Sequence, residues 1–260
     1  MQDYDISIVL TVHNKEDMIE RVFTSIVDNI SEKTKEVIVV FDGCTDQSEN
    51  IVDRIILQKN LNGMVRKLYT PDVFELRANN HGLKNATSTY SIIIQDDVII
   101  TERDFDIALV KPLRQYEDVF AVSGRNAHNI SFSNTHLEYF DMTGPEVNTP
   151  TGIFSLRTVI NRGPIAFDNL ILNKLNYFDE EFSPNAYDDM DLCLRAFRVF
   201  GKRCGSLRIG FESKPEWGTG RQKNQNLHAW AHKKNSTILL LRHRDIIDQV
   251  NTLKEDRNIN

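Results

Sequence analysis

An α/β domain with a mostly parallel sheet flanked by helices is the fold class that this 260-residue sequence predicts. Three observations predict it. Through roughly the first hundred residues, short apolar runs alternate with helical patterns, the arrangement of βαβ units. Carboxylates stand directly after two of the apolar runs, where open parallel sheets present their ligands. No repeat, low-complexity stretch or linker divides the chain, so one domain is expected.

Ile6–Val12 is a dense apolar run, as expected of a strand buried on both faces. Met18, Ile19, Val22, Phe23, Ile26 and Val27 then recur at the spacing of an amphipathic helix. Val37–Phe41 is the second strand, closed by the turn dipeptide Asp42-Gly43. Thr45 or Asp46 is placed to cap the next helix, with Glu49 completing a capping box, and Ile51, Val52, Ile55 and Ile56 form its core stripe. Met64–Tyr69 is a third strand, Ala78–Ala86 a short helix, and Ser91–Gln95 a fourth strand running into Asp96-Asp97. Ile107–Tyr116 reads as helix and Val119–Ser123 as strand. Residues 126–165 hold Asn, Ser, Thr, Gly and Pro without a sustained period. A stretch that long inside a compact domain is usually functional, and it reads as loops and irregular strands. Asn169–Asn176 and Asp188–Phe200 are helices, Lys202–Ile209 is a strand, and a long helical pattern runs from Asn224 to about Val250.

Composition narrows the partners. A net charge of −6 and a pI near 5.7 argue against a nucleic-acid groove binder, which needs a basic face. The late cluster Arg195, Arg198, Lys202, Arg203 and Arg208 reads either as a local basic patch or as a solvated helix face and the strand after it. Cys44, Cys193 and Cys204 match no disulfide or zinc spacing and read as reduced thiols of a cytoplasmic protein. No signal-peptide layout opens the sequence, and no apolar run nears the ~20 residues of a membrane-spanning helix. Peripheral contact with a membrane stays open.

Asp42, Asp96 and Asp97 are the acids at strand ends. Adjacent carboxylates offer hard oxygen ligands suited to Mg²⁺ or Mn²⁺, and such a cation lets an anionic ligand share their pocket. Aspartate is equally a common turn residue. A second acidic group, Asp188-Asp189-Met190-Asp191, opens a helix. Its carboxylates suit the backbone dipole, and Asp191 has Arg195 four residues on, the spacing of a helix-face ion pair. Three carboxylates in four residues exceed what capping needs. His228 and His232, also four apart, serve either a metal or a surface lid. Trp217–Gln222 reads as a mobile loop whose Arg221 is in reach of an anionic ligand. His128 and His136 have no assignable role.

Together these segments resemble the family 2 glycosyltransferases of GT-A fold, over roughly residues 5–205. Ile8-Val9-Leu10-Thr11-Val12-His13-Asn14-Lys15-Glu16 is similar to the family's first strand and nucleotide loop, where a tyrosine more often stands at His13. Val39-Val40-Phe41-Asp42-Gly43-Cys44-Thr45-Asp46 resembles its base-binding segment, Arg77-Ala78-Asn79-Asn80-His81-Gly82 its donor-pocket helix start, and Gln95-Asp96-Asp97 its metal-binding Asp-x-Asp. Asp188–Arg195 resembles the Glu-Asp-x-Asp-Leu-x-x-Arg motif, preceded by Asn161-Arg162-Gly163-Pro164 and Phe178–Phe182. The resemblance implies that Asp42 hydrogen-bonds the base and that Thr11, His13, Arg77 and Asp96 contact the nucleotide. It further implies that Asp97 binds Mn²⁺ or Mg²⁺ and that Asp189 is the catalytic base. Phe41 and Gln95 depart from the pattern by replacing aspartates.

The implied reaction moves a sugar from a nucleoside diphosphate, by default UDP, to the hydroxyl of a glycan, lipid or protein acceptor. One direct displacement inverts the anomeric carbon while the base takes the hydroxyl proton, an acid/base contribution of ~10²–10⁴-fold. The expected division is a domain over residues 1–223, with a nucleotide half of about 1–100 and an acceptor and catalytic half of about 101–223. A helical segment, 224–260, packs on it. Two alternatives stand beside this reading. A nucleotidyltransferase needs a glycine-rich basic loop, yet Thr11–Glu16 has no glycine and only Lys15. A non-catalytic sugar-nucleotide or glycan-binding module gains footing from Phe41 and Gln95, and loses it to Asp97 and Asp189. A dinucleotide oxidoreductase lacks its G-x-G-x-x-G.

Overall fold

The computed structural model describes residues 3–133, 136–218 and 224–259. Its first half alternates β1 (Ile6–Val12), α1 (Ile19–Asn29), β2 (Thr34–Asp42), α2 (Ser48–Gln58), β3 (Val65–Thr70), α3 (Glu75–Asn85) and β4 (Tyr90–Gln95). The second half adds β5 (Ile99–Ile100), α4 (Phe105–Gln115), β6 (Val119–Ser123), β7 (Ala127–Ser133) and β8 (His136–Thr143). Then come β9 (Ile153–Arg157), β10 (Val159–Ile160), β11 (Ile165–Asp168), α5 (Asn169–Lys174) and α6 (Asp188–Phe200). The chain closes with β12 (Arg203–Leu207), β13 (Phe211–Glu212), α7 (Gln225–Asn251) and β14 (Glu255–Asn258).

Nine strands form one sheet in the order β14-β9-β12-β6-β11-β4-β1-β2-β3. Strand β1 pairs in parallel with β2 and β4, and β2 with β3. Only β11 and β9 run against the rest, each antiparallel to both of its neighbours. The sheet is therefore mostly parallel in direction. Because successive side chains alternate between faces, Ile6, Ile8, Leu10 and Val12 enter one core with α1, α2 and α4. Val9 enters the other, with α3, α6 and α7. This two-sided burial explains why β1 is apolar except at Ser7 and Thr11, whose hydroxyls bond Glu36 and Asn79.

Two glycines set the geometry near the strand ends. A side chain at Gly82 would meet Val9 Cγ1 at 2.4 Å, so glycine lets α3 press onto the sheet. Gly201 ends α6 in the left-handed conformation at φ +65°, its amide bonded to Phe197 O at 2.8 Å.

Several elements differ from the sequence reading. Residues 126–165 are ordered, not irregular: β7 and β8 form a hairpin that β10 extends to a three-stranded sheet, and β9 joins the main sheet. Polar side chains interrupt the period because they are buried with partners, as when Asn129 Oδ1 accepts both the amide and hydroxyl of Thr158 at 3.1 Å. The capping box at Asp46 does not form. Helix α2 starts at Ser48, whose amide Asp46 accepts at 3.0 Å from one residue before the cap. The terminal segment 224–260, expected to be helical, ends instead as β14 on β9, where Arg257 reaches Asp118 at 2.8 Å. The late basic cluster finds partners within the chain, among them Asp191, Asp245 and Asp118. Among the described residues, no helix is long and apolar enough to cross a membrane.

Candidate functional site

The carboxyl ends of β1, β2 and β4 open into a cleft of about 910 Å³. Parallel strands place ligands there because their ends leave backbone and side-chain groups uncovered by the flanking helices. Thr11, near the end of β1, turns its hydroxyl to Asn79 Oδ1 on α3 at 2.7 Å. The chain then turns so that the His13 amide donates to Asp96 Oδ2 at 3.0 Å, joining the ends of β1 and β4. His13 Nδ1 lies 2.6 Å from the Asp42 carbonyl, which can only accept, so the ring proton sits on Nδ1. Asp42, buried at the end of β2, accepts from Thr70 Oγ1 at 2.8 Å and from the Val73 amide at 2.7 Å. His13, Asp42 and Asp72 bring one donor atom each within 4.8 Å of one another, although His13 Nδ1 is already committed to the Asp42 carbonyl.

Asp96 and Asp97 follow β4 and line the same cleft. Burial pushes the Asp96 carboxyl up to about 7. The buried Lys15 ammonium and the His13 amide oppose that rise, while Asp97 and Glu75 add to it. Lys15 also donates to the Trp217 carbonyl, tying the segment that flanks Asp97 to the turn after β1. Gly218 lies against Asp97: a Cβ at that position would stand 3.3 Å from Asp97 Oδ2.

The opposite wall is the start of α6. Asp188 is buried and held by the Arg162 guanidinium, which also reaches Glu75 Oε1 at 2.9 Å. Gln95 Nε2 donates to the same Glu75 oxygen at 3.0 Å. Gln95 lines the cleft with its amide nitrogen committed to a bridge between β4, α3 and α6. Asp189 is nearly buried, lines the cleft, and accepts the Met190 amide at 2.9 Å. Burial raises its carboxyl above the ordinary 3.8, against the pull of Arg162. Asp191 turns away into the core, where it meets Arg195 Nε at 2.6 Å, His243 Nε2 at 2.9 Å and Arg242 at 3.3 Å. Burial alone would raise the Asp191 carboxyl, but His243 and Arg195 outweigh it and hold it below its usual value.

The cleft therefore gathers Thr11, His13, Asp42, Asp96, Asp97 and Asp189. Arg77 does not line it; its Nε points to Glu180, 3.5 Å away on the far side of α3. Helix α7 brings His228 and His232 into the cleft, near Asn185 Nδ2 at 2.9 Å and the Tyr187 hydroxyl at 3.4 Å. Arg221 lies outside the described residues. Sequence reasoning missed Glu75 and named Lys15 only within the loop after β1, because their partners stand 20 and 202 positions away. Arg162 was legible only as part of the Asn161–Pro164 quartet.

The sequence profile described as Glycosyl transferase family 2 matches residues 7–168, more than half of the chain. The chain belongs to glycosyl transferase family 2. No curated protein matches it in sequence. In structure this family 2 chain is similar to GalNAc-T7 with UDP, GalNAc and Mn²⁺, at TM-score 0.74 and 14% identity over 94% of this chain and 50% of that one. It is also similar to the mannosyltransferase PcManGT from Pyrobaculum calidifontis in complex with GDP-Man and Mn²⁺, at TM-score 0.61, 17% identity, 94% and 63%. A third similar structure is glucosyl-3-phosphoglycerate synthase from Mycobacterium tuberculosis with Mn²⁺, UDP and phosphoglyceric acid, at TM-score 0.59, 19% identity, 98% and 86%. The chain spans half to about two thirds of the first two. Identities this low carry the fold, which is GT-A, and not the substrates.

Proposed function

We propose that this family 2 glycosyltransferase transfers a sugar from a nucleoside diphosphate, UDP by default, to an acceptor hydroxyl with inversion, using Asp189 as base. One observation carries the reading: a single cleft sets Asp189, on a helix start, opposite the strand-end acids Asp42, Asp96 and Asp97. Asp42 presents its carboxylate beside His13, suited to a base N–H. Thr11 and His13 line the approach to the diphosphate. Asp189 accepts the acceptor's proton as the hydroxyl oxygen attacks the anomeric carbon, and its raised carboxyl makes it a stronger base while ionised. Arg162 fixes Asp188 beside it. Arg77, held at Glu180, contacts the nucleotide only after leaving that partner.

The donor set fits a hard divalent cation. Among the described residues, eight carboxylates line the cleft against three Lys or Arg side chains, Arg125, Arg162 and Lys214. A diphosphate entering so acidic a cleft requires added positive charge. Asp97, with Asp96 beside it, would hold Mn²⁺ or Mg²⁺, which supplies Lewis-acid neutralisation of the leaving diphosphate. Residues of about 1–100 form the donor half, 101–223 the catalytic half, and 224–260 pack on the same domain. The acceptor is a glycan, lipid or protein, and the setting is cytoplasmic, in keeping with the three free cysteines.

The test is a thermal-shift series with UDP, GDP and their sugars, with and without Mn²⁺, followed by donor hydrolysis. A nucleotide at ~100 times its dissociation constant adds ~2.7 kcal/mol of stability. Stabilisation by a nucleotide together with Mn²⁺-dependent hydrolysis of its sugar is the expected result. Binding without any hydrolysis would instead identify a binding module.

A further inference from the structure

Helix α7 grips the catalytic helix on both sides of Asp189. After it, Asp191 is fully buried and bonded to His243 and Arg242 of α7. Before it, the segment 183–187 leads into α6 with two successive non-glycine residues in the left-handed region, Ala186 at φ +76° and Tyr187 at φ +67°. Residues with a Cβ avoid that region unless the surroundings impose it. Fully buried Asn235 imposes it. Its side-chain amide shares two N–H groups among the carbonyls of Phe182 at 2.6 Å, Asn185 at 2.8 Å and Ala186 at 3.1 Å. Carbonyls can only accept, so the amide has one workable orientation.

The loop it secures faces the site. Asn185, Ala186 and Tyr187 all line the cleft beside Asp188 and Asp189. Asn185 meets His228, and Tyr187 packs edge-on against His232 with ring centroids 5.4 Å apart, both histidines being on α7. The Tyr187 carbonyl accepts the Asp191 amide at 2.9 Å in the first turn of α6. Any relaxation of Ala186 and Tyr187 toward ordinary backbone angles rotates that turn, and Asp189 with it. The family profile ends at residue 168, so this clamp lies wholly in the part of the chain beyond it.

We infer that Asn235 is a positioning residue: its amide clamps the strained loop 185–187 and thereby orients Asp189 toward the reacting hydroxyl. The inference rests on the reading of Asp189 as base. Asn235 touches no substrate and acts only through the loop.

The experiment compares wild type with Asn235→Asp, Asn235→Ala, Asn235→Ala/Ala186→Gly and Asp189→Asn. The aspartate variant is nearly isosteric and sets a carboxylate oxygen against the carbonyls, whereas glycine at 186 accepts a positive φ without help. The first readout is amide hydrogen exchange of residues 185–192, which needs no substrate. Exchange there should quicken in both single variants at Asn235, while β1 and β2 exchange as in wild type. The second readout is Mn²⁺-supported hydrolysis of UDP-glucose, UDP-N-acetylglucosamine and GDP-mannose. On any donor that wild type turns over, kcat should fall by ~10–100-fold with nucleotide affinity within about twofold, the signature of misorientation. Ala186→Gly should restore part of kcat to Asn235→Ala. Unchanged exchange overturns the inference, and so does wild-type kcat in the Asn235 variants. Nucleotide affinity falling in step with kcat and without rescue reduces Asn235 to a general structural role and overturns it too. Asp189→Asn separates the two levels. If that variant alone retains turnover, the base assignment fails; if it is inactive while Asn235→Asp is fully active, only the clamp fails.

Discussion

At the ends of β2 and β4 the acids are held by backbone amides, Asp42 by Val73 and Asp96 by His13. At the start of α6 the acids are held by side chains, Asp188 by Arg162 and Asp191 by Arg195 of α6 itself and by Arg242 and His243 of α7. The first arrangement joins the ends of neighbouring strands of the parallel core, Val73 after β3 to Asp42 at the end of β2 and His13 after β1 to Asp96 after β4. The second exists only once β10, α3 and α7 have packed around α6. Chemistry at the strand ends should therefore tolerate changes in α7 that loosen its hold on Asp191, and chemistry at α6 should not.

The largest effect that would sharpen this contrast is at Asp191. Asp191→Asn leaves Arg195, Arg242 and His243 facing a neutral group in the core, and breaking such a buried pair costs ~3–5 kcal/mol. Urea unfolding should show a lower midpoint at an unchanged slope. The effect has a definite pH dependence. The Asp191 carboxyl is depressed in the fold, so its contribution is present above the ordinary 3.8 and fades as pH falls through the folded value. The gap between wild type and Asp191→Asn should narrow on acidification below 3.8. A gap that widens there would mean that the carboxylate is not what holds α6.

Asp42→Ala should have a smaller and different effect. Losing a hydrogen bond to a charged acceptor costs roughly 1.5–3 kcal/mol of nucleotide affinity. Titration with UDP and GDP should register it while β1 and β2 keep their amide-exchange protection. Unchanged affinity would remove Asp42 from the site and break the comparison at its donor end.

The smallest effect is expected at a surface pair remote from both groups. Arg54 and Glu20 meet at 2.8 Å between α2 and α1, with about half of each side chain exposed. A double-mutant cycle should return a coupling of ~0.2–1 kcal/mol that salt reduces. A coupling as large as that at Asp191 would show that exposure does not separate structural from incidental ion pairs here.

The same contrast explains what the sequence made legible. Strands β1 and β4 and helix α6 announce themselves because burial on one or two faces imposes a period, and the span Asp188–Phe200 was readable to the residue. The strand-end acids were readable because a turn follows an apolar run. Hidden were β7 to β10, whose buried Asn129 and Thr158 satisfy each other and so break the period. Hidden too was β14, a strand of Glu, Asp, Arg and Asn held by the Arg257–Asp118 pair rather than by apolar burial. Asp191 looked like a surface helix pair with Arg195; only tertiary packing reveals His243 and Arg242 on its other oxygen. Gln95 read as a missing ligand, whereas it bridges to Glu75.

The central claim is that Asp189 performs the proton transfer while the strand-end acids bind the donor. The most direct measurement pairs UDP-sugar or GDP-sugar titration with Mn²⁺-dependent turnover of Asp189→Asn. Asparagine keeps the shape and cannot act as a carboxylate base, so donor affinity should stay close to wild type while kcat falls ~10²–10⁴-fold. Turnover at the wild-type rate with intact donor binding would contradict the account.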